Sequence, residues 1–197
     1  MLIFDENNKL VNTAKIERKE QNLAKAYVKP DDTVLELGAR YGSVSCIVNN
    51  ILNIKTNHVV VEPDDTVWSA LSYNKKNNNS HFHIIEAIIG NKSLSLIKDG
   101  YATRCSSNAV DNTVKYFSLQ DIKTRCSIDN FTVLIADCEG CLPDFLKENK
   151  DILNSLRLVI FETDNKQSVN YNDIHQMMRD YNFNCIKSFR NHFVYQK

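Results

Sequence analysis

Ten residues decide the fold of this chain: Val34-Leu35-Glu36-Leu37-Gly38-Ala39-Arg40-Tyr41-Gly42-Ser43. They read as an apolar strand carrying one acid, a turn bounded by two glycines, and the start of a helix. In open α/β sheets, a strand, a glycine turn and a helix in this order form a nucleotide-type pocket at the carboxyl edge of the sheet. The stretch therefore predicts an α/β fold that binds a cofactor at the tip of this strand.

A second apolar run ends in an acid at a suitable distance. Residues 59–63 read Val-Val-Val-Glu-Pro, so Glu62 stands at the predicted end of the next strand and Pro63 follows it. An acid about 20 residues beyond the glycine turn commonly accepts hydrogen bonds from a ribose. Glu36 and Glu62 together indicate an adenosine cofactor. The alternative is that both are ordinary polar residues ending buried strands.

The turn lacks the central glycine of a dinucleotide-binding loop, because Arg40 stands at that position. The central glycine lets the backbone approach a pyrophosphate, so its absence argues against NAD and FAD. S-adenosylmethionine has no pyrophosphate. We expect the turn between Gly38 and Gly42 to admit its methionine tail. We expect Glu36 to face the cationic side of that tail and Glu62 to bind the ribose hydroxyls.

The rest of the chain alternates predicted strands with predicted helices. Apolar residues recur at helical spacing over 44–52, whereas 131–136 is a continuous apolar run, typical of a parallel strand buried on both faces. This alternation predicts a parallel α/β sheet, with a C-terminal hairpin at its edge. The predicted helices are 13–28, 44–52, a segment around 67–71, 142–149 and 174–181; the predicted strands are 33–37, 58–61, 82–85, 131–136, 158–161, 184–189 and 193–196.

Size and charge indicate one domain without a nucleic-acid footprint. The 197 residues predict a single domain over 1–197, with an N-terminal helical segment, 1–30, packed on it. The 24 basic residues balance 24 acidic ones, so nucleic acid is not an expected partner. No apolar run is long enough to span a membrane, and the polar N-terminus lacks the pattern of a signal peptide. We therefore expect a cytoplasmic protein.

A second group of acids follows the later strands. Asp137 and Glu139 come directly after the run 131–136, and Glu162 and Asp164 end the run 158–161. Because the carboxyl ends of parallel strands meet at one edge, these acids are expected near the cofactor and are candidate catalytic residues. Methyl transfer to a hydroxyl gains about 10²–10⁴-fold from a general base, and Asp137 is the first candidate. The alternatives are a divalent ion held by Asp137 with Glu162 or Asp164, and ordinary helix N-caps.

Cys138 and Cys141 form a C-x-x-C within this group. The spacing alone fits a zinc half-site, a redox pair or two small buried thiols. Cytosolic cysteines are kept reduced, so all six cysteines of the chain are expected to be thiols.

These motifs, in this order, resemble the FkbM family of S-adenosylmethionine-dependent methyltransferases. The resemblance covers roughly residues 30–165 and departs from the family at Arg40, where asparagine is usual, and after Glu162, where a histidine is often found. It implies a Rossmann-like class I methyltransferase fold, with a mostly parallel seven-stranded sheet and helices on both faces. The segments that carry it are Glu36-Leu37-Gly38-Ala39-Arg40-Tyr41-Gly42, then Val61-Glu62-Pro63, then Glu86-Ala87 as the adenine-contacting segment, and Asp137-Cys138-Glu139-Gly140.

The family implies O-methylation, and we expect the acceptor to be a hydroxyl of a sugar or glycan, such as a deoxysugar of the rhamnose type. We expect residues 91–130 to shape the acceptor pocket, with polar contacts from Arg104, Ser106, Ser107 and Asn108. An RNA methyltransferase is an alternative that would need a local basic groove, for which the only candidates are Lys75-Lys76, Arg104 and Lys123-Thr124-Arg125. A non-catalytic partner subunit that binds S-adenosylmethionine is another.

Overall fold

Strands and helices alternate from Val34 onward, as the apolar runs predict. The structure is a computed structural model that describes residues 1–90, 115–164 and 169–197, and the backbone of two strands at 95–99 and 102–106. The helices are α1 (Arg18–Tyr27), α2 (Ser43–Ile51), α3 (Trp68–Asn77), α4 (Leu119–Cys126), α5 (Leu142–Glu148), α6 (Ile152–Ser155) and α7 (Asn172–Asp180). The strands are β1 (Val34–Leu37), β2 (His58–Val61), β3 (His83–Ile85), β4 (Ile88–Ile89), β5 (Ser95–Asp99), β6 (Ala102–Ser106), β7 (Tyr116–Phe117), β8 (Val133–Ala136), β9 (Leu158–Glu162), β10 (Asn184–Phe189) and β11 (His192–Gln196).

One seven-stranded sheet organises the molecule, in the order β10-β11-β9-β8-β1-β2-β3. β9, β8, β1, β2 and β3 pair in parallel. β11 pairs antiparallel with β9, and β10 pairs antiparallel with β11. The predicted mostly parallel sheet of seven strands with a C-terminal antiparallel hairpin is therefore confirmed.

Helices cover both faces of the sheet because side chains of the central strands alternate between them. Val133 and Ile135 of β8 pack in a cluster with residues of α1 and α2, such as Ala24 and Val48. Leu134, between them in sequence, packs in the opposite cluster with residues of α4, α5 and α7. A strand buried on both faces needs apolar residues at successive positions, which explains the continuous apolar run.

The N-terminal helix is shorter than predicted. It begins at Arg18, because Glu17 has φ 52°, a left-handed conformation that a right-handed helix cannot include. The segment before it instead forms a short antiparallel bridge between Phe4 and Leu10. Asn74 of α3 fixes this segment: its side chain accepts from the Phe4 backbone nitrogen at 2.9 Å and donates to the Phe4 carbonyl at 2.8 Å.

The stretch between the third and fourth strands of the parallel sheet forms two small sheets of its own. β4 pairs in parallel with β7, and β5 pairs antiparallel with β6. Arg104, Ser106, Ser107 and Asn108 were expected to contact the acceptor; their side chains lie outside the described part of the chain. Among the described residues, no helix combines the length and the apolar character that crossing a bilayer requires.

Candidate active site

A pocket opens where β1, β8 and β9 end, and α1 lies over it. Side chains separated by two positions on a strand point to the same face. Asp137 follows Ile135 by two positions and Glu162 follows Ile160 by two, so both acids continue the row that faces α1 and α2. β11 runs antiparallel, so its first residue lies at this same edge. The ionisable side chains that line the pocket are Glu17, Glu20, Glu36, Asp137, Glu162 and His192.

Asp137 is the residue of this group with the least support from hydrogen bonds. Its backbone nitrogen donates to the Leu37 carbonyl at 3.0 Å, which holds the end of β8 against the end of β1. Burial raises the pKa of its carboxyl well above the ordinary value, and the charges of Glu162 and Asp164 raise it further. No described residue donates a side-chain or backbone hydrogen bond to the Asp137 carboxylate. It is therefore a half-buried acid that can accept or release a proton in the pocket.

Glu162 lies beside Asp137 and has partners from the hairpin. The Asn191 side-chain amide donates to Glu162 Oε1, and Glu162 Oε2 lies 3.4 Å from His192 Nε2. Burial raises the pKa of Glu162 to about 7, against the lowering effect of His192. His192 Nε2 also contacts Glu20, and its hydrogen bond and charge outweigh burial and lower the pKa of that carboxyl.

Glu139 and Asp164 interact with each other beside the pocket. Asp164 Oδ2 accepts from the Glu139 backbone nitrogen at 2.9 Å, and Asp164 Oδ1 accepts from the Tyr171 hydroxyl at 2.8 Å. Neither acid lines the described pocket. The structure thus uses Asp164 to hold the loop after β8, and it does not place Asp164 with Asp137 and Glu162 as a ligand set.

A disulfide between Cys138 and Cys141 closes the same loop. The expectation that all cysteines are thiols is therefore wrong for this pair, whereas Cys46, Cys126 and Cys185 are free. The loop turns tightly, with Glu139 at φ 50° and Gly140 at φ 97°, and this turn brings the two sulfur atoms together. Local spacing favoured neither outcome, because the turn geometry is not visible in the sequence.

The glycine turn after β1 is held by Glu62. Glu62 Oε2 accepts from the backbone nitrogens of Ala39 and Arg40, at 3.1 and 2.7 Å, and Oε1 accepts from Asp64 at 2.8 Å. Burial raises the pKa of Glu62, although these donors lower it. The carboxylate thus stabilises the turn that was expected to admit the methionine tail. Binding of ribose by Glu62 stays a prediction.

Both glycines of the turn are required by its geometry. Gly38 and Gly42 have φ of 83° and 80°, values that L side chains rarely adopt. A Cβ on Gly38 would lie 1.8 Å from the Asp137 carbonyl oxygen, and one on Gly42 would lie 2.8 Å from Leu71 Cδ1. Arg40, at φ 45°, takes a left-handed conformation, which asparagine tolerates better than most residues.

Glu36 lies deep in the pocket. It is 1% exposed, accepts from Ser45 Oγ at 2.8 Å and pairs with His58 Nε2 at 2.9 Å. Glu17, from the turn before α1, accepts from the Ser43 hydroxyl, and burial raises its pKa to about 7. β1 and the turn before α1 thus each contribute a carboxyl group to one pocket.

The other predicted cofactor residues lie along the ends of β1, β2 and β3. Tyr41 is 5% exposed, and its hydroxyl donates to Glu6 of the N-terminal segment. Pro63 is half-buried after β2; Glu86 is exposed and Ala87 buried just after β3. The structure brings these positions to the edge that carries Glu62, but it turns Tyr41 toward the N-terminal segment.

Sequence reasoning missed Glu17, Glu20 and His192. The two glutamates fall in the segment predicted as helix, and no motif distinguishes them from surface acids. His192 lies in the predicted hairpin turn, but the structure begins β11 there, directly opposite Glu162 in the register. Only the pairing of β11 with β9 indicates that this histidine reaches the pocket.

Comparison with solved structures identifies the fold. The precorrin-6y C5,15-methyltransferase of Geobacter metallireducens is similar at a TM-score of 0.56 and 10% identity, over 95% of this chain and 93% of that one. A putative tRNA (m1A22) methyltransferase of Streptococcus pneumoniae is similar at a TM-score of 0.55 and 12% identity, over 90% of this chain and 69% of that one. TrmK of M. capricolum, bound to S-adenosyl-homocysteine, is similar at a TM-score of 0.53 and 11% identity, over 90% of this chain and 67% of that one.

No protein-family model matches the sequence, and no curated protein does. The structural matches include methyltransferases of several kinds and do not single out the FkbM family. Identities this low describe architecture alone. The chain has the Rossmann-like fold of the class I S-adenosylmethionine-dependent methyltransferases.

Proposed function

We propose that the protein is an S-adenosylmethionine-dependent methyltransferase that methylates a hydroxyl of an uncharged, sugar-type acceptor. The observation that carries the proposal is Asp137, a half-buried carboxylate in the pocket at the end of β8, to which no described residue donates a side-chain hydrogen bond. It stands beside the glycine turn, because Gly38 packs directly against its carbonyl. A base next to a donor-binding turn is the arrangement that O-methyl transfer needs.

The residues around the turn fit S-adenosylmethionine. Gly38 and Gly42 keep side chains out of the turn, Glu36 offers negative charge at the end of β1, and Glu62 lies at the end of β2. Pro63, Glu86 and Ala87 would lie along the adenosine, and Arg40 and Tyr41 along the turn. When bound, S-adenosylmethionine supplies a methyl group activated by a sulfonium. TrmK, a structure of this fold, binds its demethylated product.

Asp137 would take the proton of the acceptor hydroxyl. A carboxylate with a raised pKa is a stronger base than an ordinary aspartate. On methyl transfer from the bound donor, Asp137 would accept the proton that the acceptor oxygen loses. Glu162 would lie beside Asp137 at the end of β9, and Glu139 and Asp164 would hold the loop in place.

The acidic pocket favours a neutral acceptor over RNA. Five carboxyl side chains line it together with one histidine, and carboxylates repel the phosphates on which nucleic-acid affinity depends. Carboxylates also accept hydrogen bonds from sugar hydroxyls. The similarity to RNA methyltransferases supports the fold, and the charge of the pocket argues against their class of acceptor.

The test measures donor binding and methyl transfer separately. Calorimetry with S-adenosyl-homocysteine should show binding, and labelled S-adenosylmethionine should methylate members of a glycoside panel but not bulk tRNA or rRNA. Asp137→Asn should lower kcat by about 10²-fold or more while leaving the product's Kd within a few-fold. Asp173→Asn, an exposed residue of α7, is the matched control. Methylated RNA with unmodified glycosides would refute the acceptor class, and absence of binding would refute the proposal as a whole.

A further inference from the structure

Three side chains of the pocket converge in the manner of metal ligands. One ligand atom from each of Glu20, Glu162 and His192 lies within 4.8 Å of the other two. They come from three separate elements, α1, β9 and β11, so the convergence is a product of the tertiary fold. His192 Nε2 is the atom between the carboxylates: it contacts Glu20 Oε1 and lies 3.4 Å from Glu162 Oε2.

The group formed by Glu20, Glu162 and His192 has fewer hydrogen-bond donors than its two carboxylates can accept. His192 is 3% exposed, and its Nδ1 is buried without a hydrogen-bond partner among the described residues. Nε2 can offer at most one N–H to the two carboxylates. Glu17, Glu36 and Asp137 line the same pocket and add three further carboxyl groups. Buried carboxylates are normally paired with cations or coordinate a metal.

We propose that Glu20, Glu162 and His192 bind a divalent cation through one carboxylate oxygen each and Nε2. Carboxylate oxygens with one imidazole nitrogen suit Mn²⁺ or Zn²⁺. Three protein ligands leave coordination positions open, as in catalytic sites. This set differs from Asp137, Glu162 and Asp164, because Asp164 is bonded to Glu139 and Tyr171.

The cation would join α1 to β9 and β11, two neighbouring strands of the sheet. Its binding requires no methyl donor, so it goes beyond the proposed function. A second consequence, which rests on the proposed function, is that the open positions face the pocket that contains Asp137. An acceptor hydroxyl bound there would lose its proton more readily to that carboxylate.

The test uses the whole chain after removal of metals with a chelator. Titration with Mn²⁺, monitored through the loss of the free-ion EPR signal, should show one ion bound per chain. Thermal unfolding with Mn²⁺ present should show a higher Tm. Glu20→Gln and His192→Gln should each weaken binding about tenfold or more. Glu17→Gln removes a carboxylate of the same pocket outside the ligand set and should change the Kd less than about threefold, the scale of an unbonded charge.

A measurement on the unmodified protein guards against variants that do not fold. Pulsed EPR of the Mn²⁺-loaded chain should show coupling to an imidazole nitrogen. Oxygen-only coordination, equal weakening by Glu17→Gln and Glu20→Gln, or no binding of either Mn²⁺ or Zn²⁺ would overturn the metal site. Binding of S-adenosyl-homocysteine is measured on the metal-free protein. A failure of the metal site is therefore distinguishable from a failure of the proposed function.

Discussion

Glu62 Oε2 lies 2.7 Å from the backbone nitrogen of Arg40 and 3.1 Å from that of Ala39. The acid that ends β2 therefore determines the shape of the turn that ends β1. Backbone N–H groups at such a turn would otherwise need another acceptor, because buried donors are rarely left unpaired.

Glu62→Gln should weaken binding of S-adenosyl-homocysteine by about tenfold and destabilise the fold by about 1–3 kcal/mol, because the amide is a poorer acceptor for charge-assisted bonds from the turn. Calorimetry and urea unfolding measure the two effects. Asp129→Asn, at an exposed position distant in sequence from the turn, should change neither the affinity nor the stability. A Glu62→Gln variant with unchanged affinity and stability would show that the turn holds its shape unaided.

Asn74→Ala should destabilise the fold by about 2–4 kcal/mol, because it leaves buried backbone groups of Phe4 and Tyr41 without partners. Asn78 provides a matched control: it bonds the Leu2 backbone in the same way, at an exposed site. Asn78→Ala should therefore cost less than about 1 kcal/mol. Equal losses in urea unfolding would contradict the importance of burial.

Glu17 should make the fold less stable as the pH rises. Its pKa is raised from 4.5 to about 7 in the folded chain, so the folded state keeps a proton that the unfolded state loses between those values. The associated stability is full below about pH 4.5 and lost above about pH 7. Relative to wild type, Glu17→Gln should therefore gain about 1–3 kcal/mol between pH 5 and pH 8. A difference in urea unfolding that does not change with pH would contradict this assignment.

The disulfide should influence catalysis more than stability. It closes a very short loop, so the entropy model gives at most about 2 kcal/mol. Replacing both Cys138 and Cys141 by serine should loosen the loop that carries Asp137 and lower kcat about tenfold or more, since small displacements of catalytic groups are costly. Cys185→Ser, at an exposed free thiol, is the control. Full activity of the double variant would mean that the loop keeps its shape without the bridge.

Local patterns predicted the frame of the sheet. β2 coincides with the predicted strand 58–61, and β10 with 184–189. A strand buried on both faces is visible in the sequence as an apolar run, and a terminal hairpin as two strand-like segments around a short turn. The end of the predicted helix 13–28 was close, but its beginning was wrong, because the conformation of Glu17 depends on its contact with Ser43.

The pocket was predicted only in part. Glu36 and Asp137 follow from their places at strand ends, since parallel strands deliver their carboxyl ends to one edge. Glu20 and His192 are brought there by packing of α1 and by antiparallel pairing of β11. Such contacts join distant segments, and no local spacing encodes them.

The packing of Gly38 against the Asp137 carbonyl has a consequence for engineering. The glycine turn and the loop after β8 meet with no space for even a methyl group, so neither can be exchanged alone. Transplanting a turn from another protein of this architecture would require redesigning the segment after β8 in the same step. If the proposed function is right, a change in the donor site would therefore require a change in the segment that carries the proposed base.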